Sequence, residues 1–210
     1  VLTHECGHAL ESYLAAHTDL PEELQCPGME SAEIHSMSME FLTAPWHQLF
    51  FGPDTAKYAL YHAEDSFVFL PYGCMVDEFQ HIVYQNETMT PEQRNEAWLK
   101  LEQKYRPWND FGDLGFYGRG AGWQRQLHIY ECPFYYIDYC LATVIALQFF
   151  TASLSDHADA WNRYLTLTRL AGTASYAELA ASADMKVPFT PGSLTELAAT
   201  VSDWILDHQL

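Results

Sequence analysis

The chain has 210 residues, 49% of them hydrophobic and 15% aromatic, which is enough for a sizeable core and too much for a disordered polypeptide. Ten Lys and Arg stand against 28 Asp and Glu, a formal charge of −18 that repels nucleic-acid phosphates and anionic membrane surfaces, so neither is an expected partner. Five cysteines (Cys6, Cys26, Cys74, Cys132 and Cys140) contain no C-x-x-C pair, which argues against a disulfide framework or a thiolate zinc site and fits a reducing, cytoplasmic setting.

Helical periodicity dominates from the start. Leu2, Cys6, Ala9, Leu10, Tyr13 and Leu14 recur at three- and four-residue steps and predict one buried stripe on a helix from Val1 to about His17. Thr18 to Gly28, with Pro21 and Pro27, reads as a connection, and a second helix is expected from Met29 to Phe51. Gly52-Pro53-Asp54 breaks it and caps a third, from Thr55 to Gln85, in which Tyr58, Tyr61, Phe67, Phe69 and Phe79 are expected mostly in the core and Pro71-Tyr72-Gly73 is a candidate kink or division. Thr90 before Pro91 predicts a capped helix to about Lys104.

Arg106 to Gly122 cannot make a stable helix, because FGDLGFYGRGAG alone carries five glycines. Helix resumes at Trp123, with a break near Pro133. Three further helices are expected near Leu154 to Leu170, Tyr176 to Ala183 and Leu194 to His208, the last capped by Ser193 or Thr190. No segment alternates as a sheet strand does, and none has the ~18 uninterrupted apolar residues of a membrane span. The N-terminus does not read as a signal peptide. The fold class is mainly α.

The first helix carries H-E-x-x-H as His4, Glu5 and His8. Histidines four apart share a helical face and can chelate one metal ion, while the adjacent Glu5 can take a proton from a water that the metal activates. Gly7 costs ~1 kcal/mol in a helix interior, which suggests that a neighbour or substrate approaches the backbone there. Cys6 points off the ligand face, and Glu11 is placed to orient a histidine or to meet solvent. A catalytic zinc site needs a third protein ligand. In MESAEIHSMSMEF the helical geometry turns His35 about 200° from Glu33 and leaves Glu30, Glu33 and Glu40 open.

HECGH followed after 24 residues by EIHS resembles the thimet oligopeptidase and oligoendopeptidase F family of zinc metallopeptidases. By that resemblance one Zn2+ per chain is held by His4, His8 and Glu33, with Glu5 as general base and Ser36 matching the serine of an E-x-x-S segment. Trp123 to Ala142, WQRQLHIYECPFYYIDYCLA, is similar to the segment in which the family places a histidine and tyrosines facing the substrate carbonyl. His128 matches the histidine, and Tyr136 and Tyr139 the tyrosines, with Tyr135 in competition. Gly112 to Gly122 resembles a loop that closes on bound peptide. Arg119 and Arg125 are expected to pair with surplus acids in preference to a peptide carboxylate.

The resemblance implies short peptide substrates and a multi-helix catalytic half of a zincin-type oligopeptidase. Residues 1–210 would form a C-terminal zinc-binding region of a longer chain whose upstream half, with its β-strands, is missing. Apolar faces then await the upstream half or a second copy in a homo-oligomer. The rival readings are a zinc carboxypeptidase of related helical fold and a peptide-binding zinc module without catalysis.

Overall fold

A computed structural model describes residues 1–25, 28–170 and 172–209; Cys26 and Pro27 of the expected connection lie outside them. Every regular element among the described residues is helical, so the fold is mainly α as expected. The helices are α1 (Leu2–Ala16), α2 (Met29–Leu42), α3 (Gln48–Phe51), α4 (Thr55–Gln85), α5 (Pro91–Tyr105), α6 (His128–Glu131), α7 (Tyr136–Ser155), α8 (His157–Thr168), α9 (Tyr176–Ser182) and α10 (Ser193–Asp207).

The chain forms two compact units, Val1–Phe67 with Leu141–Leu210, and Val68–Cys140. The first is built on Ile34, Met39 and Leu42 of α2, Ala142, Ile145 and Phe149 of α7, Tyr164 and Leu167 of α8, and Leu179 of α9. Fully burying side chains of this size is worth about 1.5–3 kcal/mol each. The demands of this core account for α7, which is long and apolar enough to cross a membrane by length and composition and is half buried. The second unit is centred on Met75, Val76 and Phe79 of α4, Trp98 and Leu101 of α5, and Trp123.

Four expectations need correction. The helix expected from Met29 to Phe51 ends at Leu42, because Pro45 has no N–H to continue it and the Thr43 hydroxyl donates back to the Met39 and Glu40 carbonyls at 2.9 and 3.1 Å. By contrast α4 keeps its expected bounds, Thr55–Gln85, with Pro71 inside it. Its expected core residues divide: Phe79 is fully buried, whereas Tyr61 is exposed. The cap of α10 is Gly192 at φ 84°, since the Ser193 hydroxyl instead donates to the Val187 and Thr190 carbonyls.

The fourth correction concerns α1. Its buried positions are Gly7, Glu11 and Ala15, while Leu2, Cys6, Ala9 and Tyr13 of the predicted stripe are exposed. The apolar face is real, but α1 packs on α2 through its small and polar face. Glu11 consequently neither orients a histidine nor meets solvent: it is buried, its Oε2 accepts from Ser12 Oγ at 3.2 Å, and burial raises its pKa.

The start of α5 follows its sequence signal. Thr90 Oγ accepts from the Gln93 N–H and Gln93 Oε1 accepts from the Thr90 N–H at 2.8 Å, a reciprocal capping box. The Arg106 to Gly122 segment is built of turns up to its last two residues, and Gly120 at φ 79° lies where a Cβ would come within 2.2 Å of the Asn95 carbonyl oxygen of α5. Thr90→Ala is expected to cost about 1 kcal/mol, read as a lower urea midpoint with an unchanged slope.

Candidate active site

The closeness of α1 to α2 decides where the motif residues lie. A Cβ at Gly7 would sit 2.3 Å from the His35 carbonyl oxygen and 2.6 Å from Ser36 Cα, distances no side chain tolerates. That carbonyl is also held by the buried Tyr164 hydroxyl, which donates to it at 2.9 Å, so displacing it would strain a second contact. The backbone neighbour that Gly7 signals is therefore α2.

Packed this closely, α1 brings His4 and His8 to Glu33. Each Nε2 lies 3.4 Å from Glu33 Oε2, and the three donor atoms fall within 4.8 Å of one another. With metal–donor bonds of about 2.0–2.1 Å, the edge of a tetrahedron around zinc is about 3.4 Å. Two imidazole nitrogens and one carboxylate oxygen at this spacing fit such an ion. The Ser36 hydroxyl, fully buried, donates to Glu33 Oε2 at 2.9 Å and so steadies the carboxylate.

Of the three glutamates left open by helical geometry, Glu30 stays outside the cluster and Glu40 turns to the other side of His4. Glu40 Oε1 is 2.8 Å from His4 Nδ1, and its Oε2 is 2.9 Å from His62 Nε2 of α4. Burial opposes the ionised Glu40, and the bonds from His4 and His62 overcome it, holding the carboxyl down to about 2. With Nδ1–H donated to Glu40, the His4 lone pair is left at Nε2, on the Glu33 side. In the absence of metal, the Glu33 and Glu40 carboxylates hold His4 protonated, raised to about 9. His47 adds a contact from its Nε2 to the Glu40 backbone oxygen at 3.1 Å, and His62 stacks on Phe41 at 4.3 Å.

His62 and His47 carry no local sequence signal; only the fold brings them to Glu40. Glu5, one residue past His4, is exposed and open to water. Cys6 is also exposed and outside the donor cluster, as its helical position implies. His35 is wholly buried with both ring nitrogens unbonded, and burial, then the charge of His8, pushes it down to about 3, so it stays neutral.

The residues of the second block gather within the second unit. The ring of His128 lies 5.0 Å from that of Tyr136, 5.6 Å from Tyr139 and 6.4 Å from Tyr135. Burial, then Tyr72, pushes the Tyr136 phenol above its usual range, so it remains a hydrogen-bond donor. Arg125 departs from expectation: its partner is the Tyr117 hydroxyl, with the guanidinium 5.6 Å from that ring, and no carboxylate pairs with it among the described residues.

A helical scaffold bearing H-E-x-x-H and a glutamate from the following helix defines a metallopeptidase class. The chain belongs to peptidase family M3, whose family model matches residues 1–191. Among solved structures it is similar to a proposed oligoendopeptidase F, at 48% identity and TM-score 0.93, over 98% of this chain and 36% of that one. It is likewise similar to PZ peptidase A with an inhibitor, at 46% identity and TM-score 0.94, over 99% of this chain and 37% of that one. A third is a proposed oligoendopeptidase F from Bacillus anthracis strain Ames, at 39% identity and TM-score 0.84, over 100% of this chain and 35% of that one. The chain thus spans little more than a third of the proteins it resembles. No curated protein matches it.

Gly7→Ala is expected to drive α1 from α2 and spread the donor atoms. Zinc titration should then show affinity lowered by about 10-fold or more, with helix content by circular dichroism largely kept.

Proposed function

We propose that this chain carries the zinc-binding catalytic part of an oligoendopeptidase that hydrolyses short peptides in the cytoplasm. The observation that carries the reading is the donor set of His4, His8 and Glu33, with both imidazole Nε2 atoms 3.4 Å from one Glu33 oxygen, beside an exposed Glu5. When bound, zinc supplies Lewis acidity, polarising a carbonyl and lowering the pKa of water. The chain's own residues do the rest. Glu5 accepts a proton from the attacking water and returns it to the leaving amine. Glu40 fixes the ring of His4, and Ser36 the carboxylate of Glu33. His128, Tyr136 and Tyr139 are assigned by family resemblance to donate hydrogen bonds to the oxyanion.

Family membership and the names of the similar structures support a peptidase; the endopeptidase assignment and the preference for short peptides are the proposal. The exposed apolar face of α1, with Leu2 and Tyr13, is proposed to be covered by another segment of polypeptide or a second copy. Neither nucleic acid nor membrane is a proposed partner of so acidic a chain.

Two measurements on the full-length protein test this. Glu5→Gln should keep about one zinc per chain by metal analysis while losing hydrolysis of a peptide blocked at both ends; retained hydrolysis would remove Glu5 from its role. Failure of the wild type on the blocked peptide, with cleavage of the free one, would turn the reading to a carboxypeptidase. Glu40→Ala should weaken zinc binding by about 10- to 100-fold in a chelator competition, as loss of a carboxylate behind a ligating histidine does elsewhere.

A further inference from the structure

His128 does not stand alone in the second unit. Gln126 Nε2 is 2.7 Å from His128 Nδ1, and Gln126 Oε1 accepts from the Tyr72 hydroxyl at 2.9 Å. An amide nitrogen only donates, so Nδ1 must be the acceptor, and a neutral imidazole with its lone pair at Nδ1 carries its hydrogen at Nε2. The amide is oriented by Tyr72. Turned the other way, Gln126 would offer its nitrogen to the phenol, and the phenol hydrogen would lose the acceptor it has here.

Tyr72 is itself held on several sides. The Arg106 guanidinium lies 4.6 Å from its ring centre and is fixed by two bonds to the buried Glu102, at 3.0 and 2.6 Å. Trp98 and Tyr136 meet the ring edge to face at 6.4 and 5.9 Å. The orientation of one half-buried imidazole is thereby tied to an α5 ion pair and to the core of the second unit.

We propose that Gln126, anchored by Tyr72, is a positioning residue that fixes His128 as the Nε2–H tautomer. The ring then presents a donor from Nε2, as an oxyanion requires, and not a second lone pair. This deepens the role proposed above for His128 and rests on it for its catalytic meaning, though the tautomer itself can be read without activity.

The test is nitrogen-15 NMR of the histidine-labelled full-length protein above the usual imidazole titration range, with His128 assigned by its loss in His128→Asn. The wild type should show hydrogen at Nε2. In Gln126→Glu the side chain can only accept, so the hydrogen should move to Nδ1, and kcat should fall about 100-fold or more with KM little changed. Tyr72→Phe, which keeps the ring and removes the anchoring hydroxyl, should give a mixture of tautomers and guards against a Gln126→Glu protein that fails to fold. A wild type with hydrogen at Nδ1, or tautomers unmoved in both variants, overturns the proposal. A tautomer shift with unchanged kcat supports the control by Gln126 and overturns the catalytic role of His128 instead.

Discussion

The contact between α1 and α2 at Gly7 is the constraint on which the candidate metal site depends. A backbone approach that leaves no room for a Cβ is what lets two imidazoles of one helix reach a carboxylate of the next. Helices packed through ordinary apolar side chains stand 8–10 Å apart, and the longer separations in that range would leave Glu33 short of both rings. The missing methyl group also explains why the face of α1 that packs is not its apolar one. Function has chosen the packing surface, and Leu2, Cys6, Ala9 and Tyr13 have been left exposed while Leu10 still reaches the core.

Electrostatics reinforces that geometry. Two carboxylates, Glu33 and Glu40, bracket the ring of His4 from opposite nitrogens, in a chain whose acids already far outnumber its bases. Such an excess would ordinarily strain a buried acid. Glu40 tolerates its burial because it holds one histidine with each oxygen, an arrangement that also leaves neither oxygen without a hydrogen-bond partner. In the second unit the same economy recurs with neutral groups, where one amide serves both Tyr72 and His128.

What could be read directly from sequence was chemistry packed into a few neighbouring residues. H-E-x-x-H and the Thr90-Pro91 helix start depend only on short spacing, and the turns before Gly122 follow from glycine. Periodicity also located α1 correctly but misjudged its buried face, because an apolar stripe says that a surface wants cover and not which neighbour provides it. The choice among Glu30, Glu33 and Glu40 lay beyond helical geometry, since it depends on how α1 is seated on α2; family resemblance selected Glu33, and the packing supplies the physical reason. His62 and His47 were unreadable, because each meets Glu40 only through the fold. The bounds of α4 were legible despite Pro71: a proline removes one local bond, whereas the packing of a 31-residue helix acts along its whole length.

Glu33 and Glu40 are seven residues apart on α2, about two helical turns, and both act on His4. One rigid rod thus grips a single imidazole at both nitrogens. Sliding or rotating that rod by even one residue would release the two grips together, so α2 works as a vernier whose setting is all or nothing. Partial occupancy of the site should therefore reflect a mixture of intact and lost registers rather than a continuum of loosened geometries.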